Sequence, residues 1–222
     1  GSDDEAQMVY NFALPPLLAF SILKSDTTKL THWAKELTLP GSGVCFFNFT
    51  ASHDGVGVRA VNEILDENEM NFLVQSTVEH GGLVSYRAIG DEEVSPYELN
   101  CSYLDLLTNP EEDDNTRVKR MILSQAVVLV MPGVPGIYFH SLVGSQNYRE
   151  AVRKTRINRS INRDRLNYDN LKELLEEEGS LQKILFKRYK QLLSIRIREE
   201  AFHPLNKFEI LDLGSKVFAI KR

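Results

Sequence analysis

The stretch Val44-Cys45-Phe46-Phe47-Asn48-Phe49-Thr50 decides the fold, because a nearly continuous apolar run rich in β-formers suits a strand covered on both faces. Gly41-Ser42-Gly43 breaks the chain before it, and it leads directly into His53-Asp54-Gly55. Upstream, Met8 to Leu14 reads as a short strand, which Pro15-Pro16 stops before an amphipathic helical stretch from Leu17 to Leu37, interrupted at a cap, Ser25-Asp26. Downstream, Asp66 and Glu69 have capping-box spacing and open a helix that runs to Val78, with Gly81-Gly82 just past its end.

Working outward, the stretch Leu83 to Leu107 mixes aromatic, polar and Pro residues without a clear period, and the acidic run Glu111 to Asn115 suits the solvated first turn of a helix. Thr116 to Met131 is helical and increasingly apolar, and Val134 to Leu142 then reads as a short buried strand. A polar, arginine-rich loop spans Ser145 to Arg165. Helices follow at Asn170 to Glu178 and Ser180 to Glu199, the second keeping Leu181, Ile184, Leu185, Leu192 and Ile195 on one apolar face. Phe208 to Leu213 and Val217 to Ile220 flank Gly214-Ser215 in the pattern of an antiparallel hairpin. Three successive strand-helix units imply an α/β fold with parallel pairing, either a barrel or an open doubly wound sheet.

With 222 residues, 42% hydrophobic and 26% charged, the chain has the make-up of an ordinary globular protein with one substantial domain. A formal charge of −5 gives no general attraction to nucleic acid or anionic lipid. The longest apolar run, Ala126 to Pro132, falls far short of the ~20 residues of a membrane span. The acidic start Gly1-Ser2-Asp3-Asp4-Glu5 is unlike a signal peptide, so a cytoplasmic location and no membrane partner are expected. Cys45 and Cys101, in apolar surroundings, read as free buried thiols rather than a disulfide. The five histidines show no metal-like spacing, and Gly55-Val56-Gly57 lacks the third glycine of a dinucleotide fingerprint, so neither a metal nor a nucleotide cofactor is expected.

Six segments in order carry a resemblance: Gln7-Met8-Val9-Tyr10-Asn11-Phe12-Ala13-Leu14-Pro15-Pro16; Phe47 through Gly55; Pro96-Tyr97-Glu98-Leu99-Asn100; Met131 through Tyr138; Arg159-Ser160-Ile161-Asn162-Arg163; and Ala201-Phe202-His203-Pro204. Together they resemble the sucrose-phosphorylase-like branch of the α-amylase superfamily. Ser95 through Asn100 and Arg159 through Arg163 look more like its glucosylglycerate-phosphorylase and sucrose-6-phosphate-phosphorylase types than its plain sucrose type. The resemblance implies that the three units are about strands 6 to 8 of a (β/α)8 TIM barrel, occupying residues 1–205, and that residues 206–222 open a C-terminal β-domain. Arg156-Ile157-Asn158 departs from the pattern, since relatives commonly have Gly-Arg before a small residue there.

The implied chemistry is retaining glucosyl transfer from a sucrose-like or glucosylglycerate-like donor to inorganic phosphate as co-substrate. Such transfer needs a nucleophile and a general acid roughly 5 Å apart. The resemblance places that pair on strands four and five, which this chain does not contain, so the chain by itself is expected to be inactive. Asp54 matches the third family carboxylate, a transition-state stabiliser that grips the sugar hydroxyls, and His53 would donate to the same sugar. Tyr97 matches a mobile loop aromatic, Glu98 the neighbouring acceptor-contacting position, and Arg159 an arginine on the acceptor and phosphate side, where a planar fork suits oxyanions. Asn162 and Arg163 are expected to brace the arginine-rich loop rather than touch ligand. From the residues alone, His53-Asp54-Gly55 also reads as a surface turn, Tyr97 and Glu98 as loop packing, and Arg159 as part of a solvated basic loop. The competing functional readings are a glycoside hydrolase of the same superfamily and a non-catalytic module that self-associates, since half a barrel leaves raw sheet edges.

Overall fold

The computed structural model describes residues 6–39, 41, 43–89 and 93–222. The acidic start and Ser42, both singled out in the sequence, lie outside the described residues. In chain order the elements are β1 (Met8–Tyr10), α1 (Leu14–Lys24), α2 (Thr28–Glu36), β2 (Cys45–Asn48), β3 (Val56–Gly57), α3 (Glu67–Glu79), β4 (Leu83–Ile89), β5 (Glu93–Asn100), α4 (Tyr103–Leu107), α5 (Asp114–Val130), β6 (Val134–Pro135), α6 (Phe139–Leu142), α7 (Arg149–Thr155), α8 (Tyr168–Glu176), α9 (Leu181–Arg198), β7 (Glu209–Asp212) and β8 (Phe218–Lys221).

The strand expected within Val44 to Thr50 spans Cys45–Asn48 and lies between two others. β2 pairs in parallel with β1 on one side, Tyr10 opposite Phe47, and with β6 on the other, Asn48 opposite Pro135. α1 packs on α5 and α5 on α9, and their buried Leu14, Leu17, Leu18, Met121, Leu181 and Leu185 belong to one continuous core. Each fully buried leucine contributes about 1.5–3 kcal/mol. The sheet itself carries a separate, aromatic cluster: Tyr10 meets Phe47 edge-on at 5.2 Å and Phe49 at 5.9 Å between ring centroids, and Phe12 meets Phe49 at 5.6 Å. β1 is an outer strand, and Met8, Val9 and Tyr10 are all exposed along it.

Local signals placed most helices well. The capping box of α3 is made in both directions, Glu69 N to Asp66 Oδ1 and Asp66 N to Glu69 Oε2, each 2.9 Å. Such a cap contributes about 1 kcal/mol. Ser180 caps α9, and Asp113, within the acidic run, caps α5. Four expectations need correction. α1 starts at Leu14 rather than Leu17, with both prolines inside its first turn, where their missing N–H groups have no intrahelical partner to lose; its first two turns are buried all round rather than amphipathic. The strand expected over Val134 to Leu142 is only two residues long: Gly136 N makes the last ladder bond, to Asn48 O, and the chain becomes α6 at Phe139. On α9, Ile195 is exposed and Tyr189 is buried in its place, its hydroxyl donating to Gln125 Oε1 at 2.7 Å. The arginine-rich loop contains α7 and a 3-10 turn, Asn158–Asn162.

The aperiodic stretch from Leu83 is an antiparallel β4–β5 ladder, with β3 added along the other side of β5. A register shift places Ser85 opposite Glu98 but Tyr86 opposite Pro96, leaving Tyr97 as the extra residue of a bulge. The bulge and Pro96 hide the period of two that marks an ordinary strand. The hairpin β7–β8 forms as expected, with Gly214 at φ 88°, and docks on α2, where Thr27 N donates to Ser215 O and Lys35 pairs with Asp212 at 2.9 Å. Cys45 and Cys101 are both buried and unbonded to each other.

Candidate active site

The site grows from the carboxyl end of β2. Asn48, fully buried, accepts from Asn11 Nδ2 at 2.9 Å and donates through Nδ2 to Pro132 O at 2.8 Å, so one amide ties the carboxyl end of β1 to the approach to β6. Sequence reading did not single out either asparagine, since within an apolar run a lone amide reads as a defect. Beyond β2 the backbone turns at Ser52, whose Oγ accepts from Asp54 N at 3.1 Å. Asn162 Nδ2 donates to Ser52 O at 2.7 Å and to Asp54 O at 3.3 Å, and Arg163 Nε donates to His53 O at 2.6 Å. Asn162, in the 3-10 turn, and Arg163 just past it thus brace the loop that carries Asp54, where bracing of their own arginine-rich loop was expected.

The carboxylate of Asp54 is held by two arginines, both on Oδ1: Arg159 Nη1 at 3.0 Å and Arg163 Nη2 at 2.9 Å. Arg163 therefore does more than brace. Arg159 also donates through Nε to Glu98 Oε2 at 2.9 Å, forming a bridge between the two carboxylates. The hydrogen bond to Glu98 raises the Arg159 pKa above the ordinary arginine value, with the nearby charges of Glu98 and Asp54 adding to it, so the guanidinium stays cationic. Glu98 is buried, and its other hydrogen bonds come from Gly55 N at 3.0 Å, on Oε1, and Asn100 Nδ2 at 2.9 Å, on Oε2. The expected acceptor-contacting glutamate is thus engaged by three donors of its own chain. Gly55 is required here, since a Cβ at this position would lie 2.6 Å from Leu99 O and from the Glu98 side chain.

These groups border a cleft of about 530 Å³. Asp54, Glu98, Arg159, Tyr97 and Arg59 supply its polar wall, and Phe12 and Phe49 are among its apolar lining residues. An apolar cleft with a few converging polar groups is the usual form of a small-molecule site. Tyr97, expected on a mobile loop, stands instead at the bulge of β5 and lies on the cleft wall, while its carbonyl accepts from Val58 N at 3.1 Å. His53 departs from expectation: its ring is 72% exposed, sits 3.7 Å from Asp54 Oδ1 and is not part of the cleft wall, because the residue follows the turn outward. Arg59 was not singled out, for an arginine shortly after a turn carries no local signature. Among the described residues no three His, Cys, Asp or Glu side chains converge as a metal site, and no helix is long and apolar enough to cross a membrane.

No protein-family model matches the chain. It is 42% identical over 222 residues to a glucosylglycerate phosphorylase of Spirochaeta thermophila, covering all of this chain and 38% of that protein. It is 40% identical over 220 residues to a glucosylglycerate phosphorylase of Escherichia coli, covering 99% of this chain and 39% of the relative. Its fold matches the crystal structure of sucrose 6F-phosphate phosphorylase from Thermoanaerobacter thermosaccharolyticum with a TM-score of 0.79, at 23% identity over 94% of this chain and 39% of the other. The chain spans about two fifths of the length of the curated relatives it matches. Sequence likeness over its whole length and the shared α/β architecture agree with the motif order from Gln7 to Pro204, and the chain belongs to the sucrose- and glucosylglycerate-phosphorylase family, whose C-terminal part it matches.

Proposed function

We propose that the chain supplies the Asp54 side of the active site of a retaining α-glucoside phosphorylase that moves glucose from a glucosylglycerate-like donor to inorganic phosphate in the cytoplasm. In this reading β1, β2 and β6 are strands 6 to 8 of a (β/α)8 barrel over residues 1–205, and β7–β8 begins a C-terminal β-domain. The observation that carries it is the position of Asp54: just past the carboxyl end of β2, on the wall of the cleft, with two arginines on one carboxylate oxygen. Barrel active sites occupy that end of the strands. Asp54 grips the sugar hydroxyls more tightly as charge develops in the transition state, which lowers the barrier. Tyr97 and Arg159 face acceptor and phosphate, Glu98 works from behind Arg159, and His53 reaches the sugar only if its exposed ring swings over the cleft.

The nucleophile and general acid of this chemistry lie outside the chain, so the isolated chain is inactive. Incubation with glucosylglycerate and phosphate tests that directly: release of glucose 1-phosphate that Asp54→Asn abolishes refutes it. The site itself is tested by exchanging residues 6–222 into the matching region of the Escherichia coli glucosylglycerate phosphorylase. The chimera releases glucose 1-phosphate, and Asp54→Asn lowers its kcat/KM about a hundredfold to a thousandfold. A folded chimera indifferent to that substitution overturns the role of Asp54.

The isolated chain self-associates in this proposal, which the exposed edge of β1 and the open aromatic cluster behind it favour. An unpaired apolar edge strand is a template for pairing with another chain. Light scattering reads the outcome: an oligomer is expected, and a stable monomer across concentration contradicts it.

A further inference from the structure

Beside the cleft, separated from it only by Arg59 and Tyr97, lies a second groove of about 330 Å³. Its polar lining is Arg59, Asn62, Arg87, Ser95 and Tyr97, and none of the described residues lining it is acidic. The contrast with the cleft next door is chemical. There, Arg159 faces two carboxylates, Asp54 and Glu98. Here two guanidiniums share a concave surface with an amide, a hydroxyl and a phenol, on a chain whose formal charge is −5.

The backbone brings these groups together from distant positions. Arg59 opens the 3-10 turn that follows β3. Arg87 on β4 and Ser95 on β5 are cross-strand partners, and partners in a ladder point to the same face. Tyr97, the bulge residue, borders both cavities. Paired guanidiniums with hydroxyl and amide donors match a planar carboxylate or a phosphate, and suit neither a cation nor a neutral sugar ring.

We infer that this groove is an anion subsite, in which Arg59 and Arg87 hold a carboxylate or phosphate group on the molecule that enters the cleft. The inference deepens the phosphorylase reading, on which it rests for the identity of that molecule. Arg59 and Tyr97 form the shared wall, so an anionic group seated in the groove keeps the rest of its molecule against the cleft that contains Asp54. The subsite thereby selects acceptors that carry a negative charge near the reacting hydroxyl, and disfavours neutral ones of the same size.

The test is binding, which needs no turnover. The full chain is titrated with glycerate, with inorganic phosphate and with neutral glycerol, following arginine Nε and Tyr97 resonances by NMR. Saturable shifts at Arg59, Arg87 and Tyr97 are expected with glycerate or phosphate and not with glycerol, and Arg87→Ala and Arg59→Ala each weaken binding about tenfold or more. Tighter binding of glycerate assigns the groove to the carboxylate of an acceptor, and tighter binding of phosphate assigns it to a phosphoryl group. Both anions left unbound by the groove residues, or the bound one held equally well after Arg87→Ala, overturns the subsite. The active chimera separates this failure from that of the parent reading. Activity dependent on Asp54 with no anion at the groove removes the subsite alone, whereas anion binding in a chimera indifferent to Asp54→Asn removes the phosphorylase role and keeps the site.

Discussion

Two carboxylate–arginine pairings in this chain use the same chemistry in opposite surroundings. Asp105 and Arg117 meet at 3.0 Å with side chains 2% and 5% exposed, whereas Asp54 meets Arg159 at 3.0 Å with both more than a third exposed. The inner pair is an anchor. Asp105 Oδ2 also accepts from Asn147 N at 2.6 Å, Asn147 Oδ1 accepts from Ser102 N at 2.7 Å, and its Nδ2 donates to His80 O, so the start of the arginine-rich loop is fastened to α3 and α4. The outer pair lies at the wall of a cleft, where water screens it and a ligand reaches it. Burial, more than the identity of the partners, decides which pairing holds the fold and which stays available for binding.

The comparison breaks most readily at Arg117. Arg117→Ala leaves the Asp105 carboxylate buried without its partner, and a loss of about 3–5 kcal/mol in urea unfolding is expected; a loss as small as that of an exposed pair would erase the distinction. Asn147→Ala removes two hydrogen bonds that tie the loop, at about 1–3 kcal/mol, with faster amide exchange across Ser145 to Arg149 as its signature. Asp54→Asn should change stability by no more than about 1 kcal/mol in the same assay, because exposed pairs contribute little. An unfolding free energy lowered by several kcal/mol at Asp54 would make it a structural residue.

A pH dependence sharpens the contrast further. Burial raises the pKa of Asp105, and the hydrogen bond from Asn147, the charge of Arg117 and the Ser102 contact offset this only in part. The folded state therefore holds this proton more tightly than the unfolded chain. Its contribution to stability is fully present below the ordinary carboxylate value of about 3.9 and is lost as pH rises through the raised folded value. Comparing unfolding free energies across that window in the parent and in Asp105→Asn isolates it: the variant should show a flatter profile, and parallel profiles would remove Asp105 as the source.

What reading the residues revealed follows the range of the interactions involved. The capping box at Asp66, the start of α9 at Ser180 and the hairpin turn at Gly214-Ser215 are decided within a few residues and stand where the pattern put them, and the acidic run supplies the cap of α5 at Asp113. The β4–β5 ladder was hidden because its bulge at Tyr97 interrupts the alternation. The apolar face of α9 was misjudged at Tyr189 because a polar tip disguises a side chain whose hydroxyl finds Gln125 in the core. Glu98 read as an acceptor contact or as loop packing, not as a buried residue of a strand. Its burial depends on Gly55, Asn100 and Arg159 all converging on it.

The sequence by itself determined that helices and short strands alternate, that a strand lies within Val44 to Thr50, and that Asp54 follows it, since apolar pattern, glycine punctuation and helix capping act locally and leave a mark in the order of residues. Only the tertiary structure decided that Arg163, 109 positions from Asp54, shares its Oδ1 with Arg159, that His53 turns away, and that Arg59 and Arg87 line one groove. Those pairings depend on how the sheet, the ladder and the 3-10 turn pack against one another. Charged side chains at long separation carry no periodic signal that announces the partner they will meet.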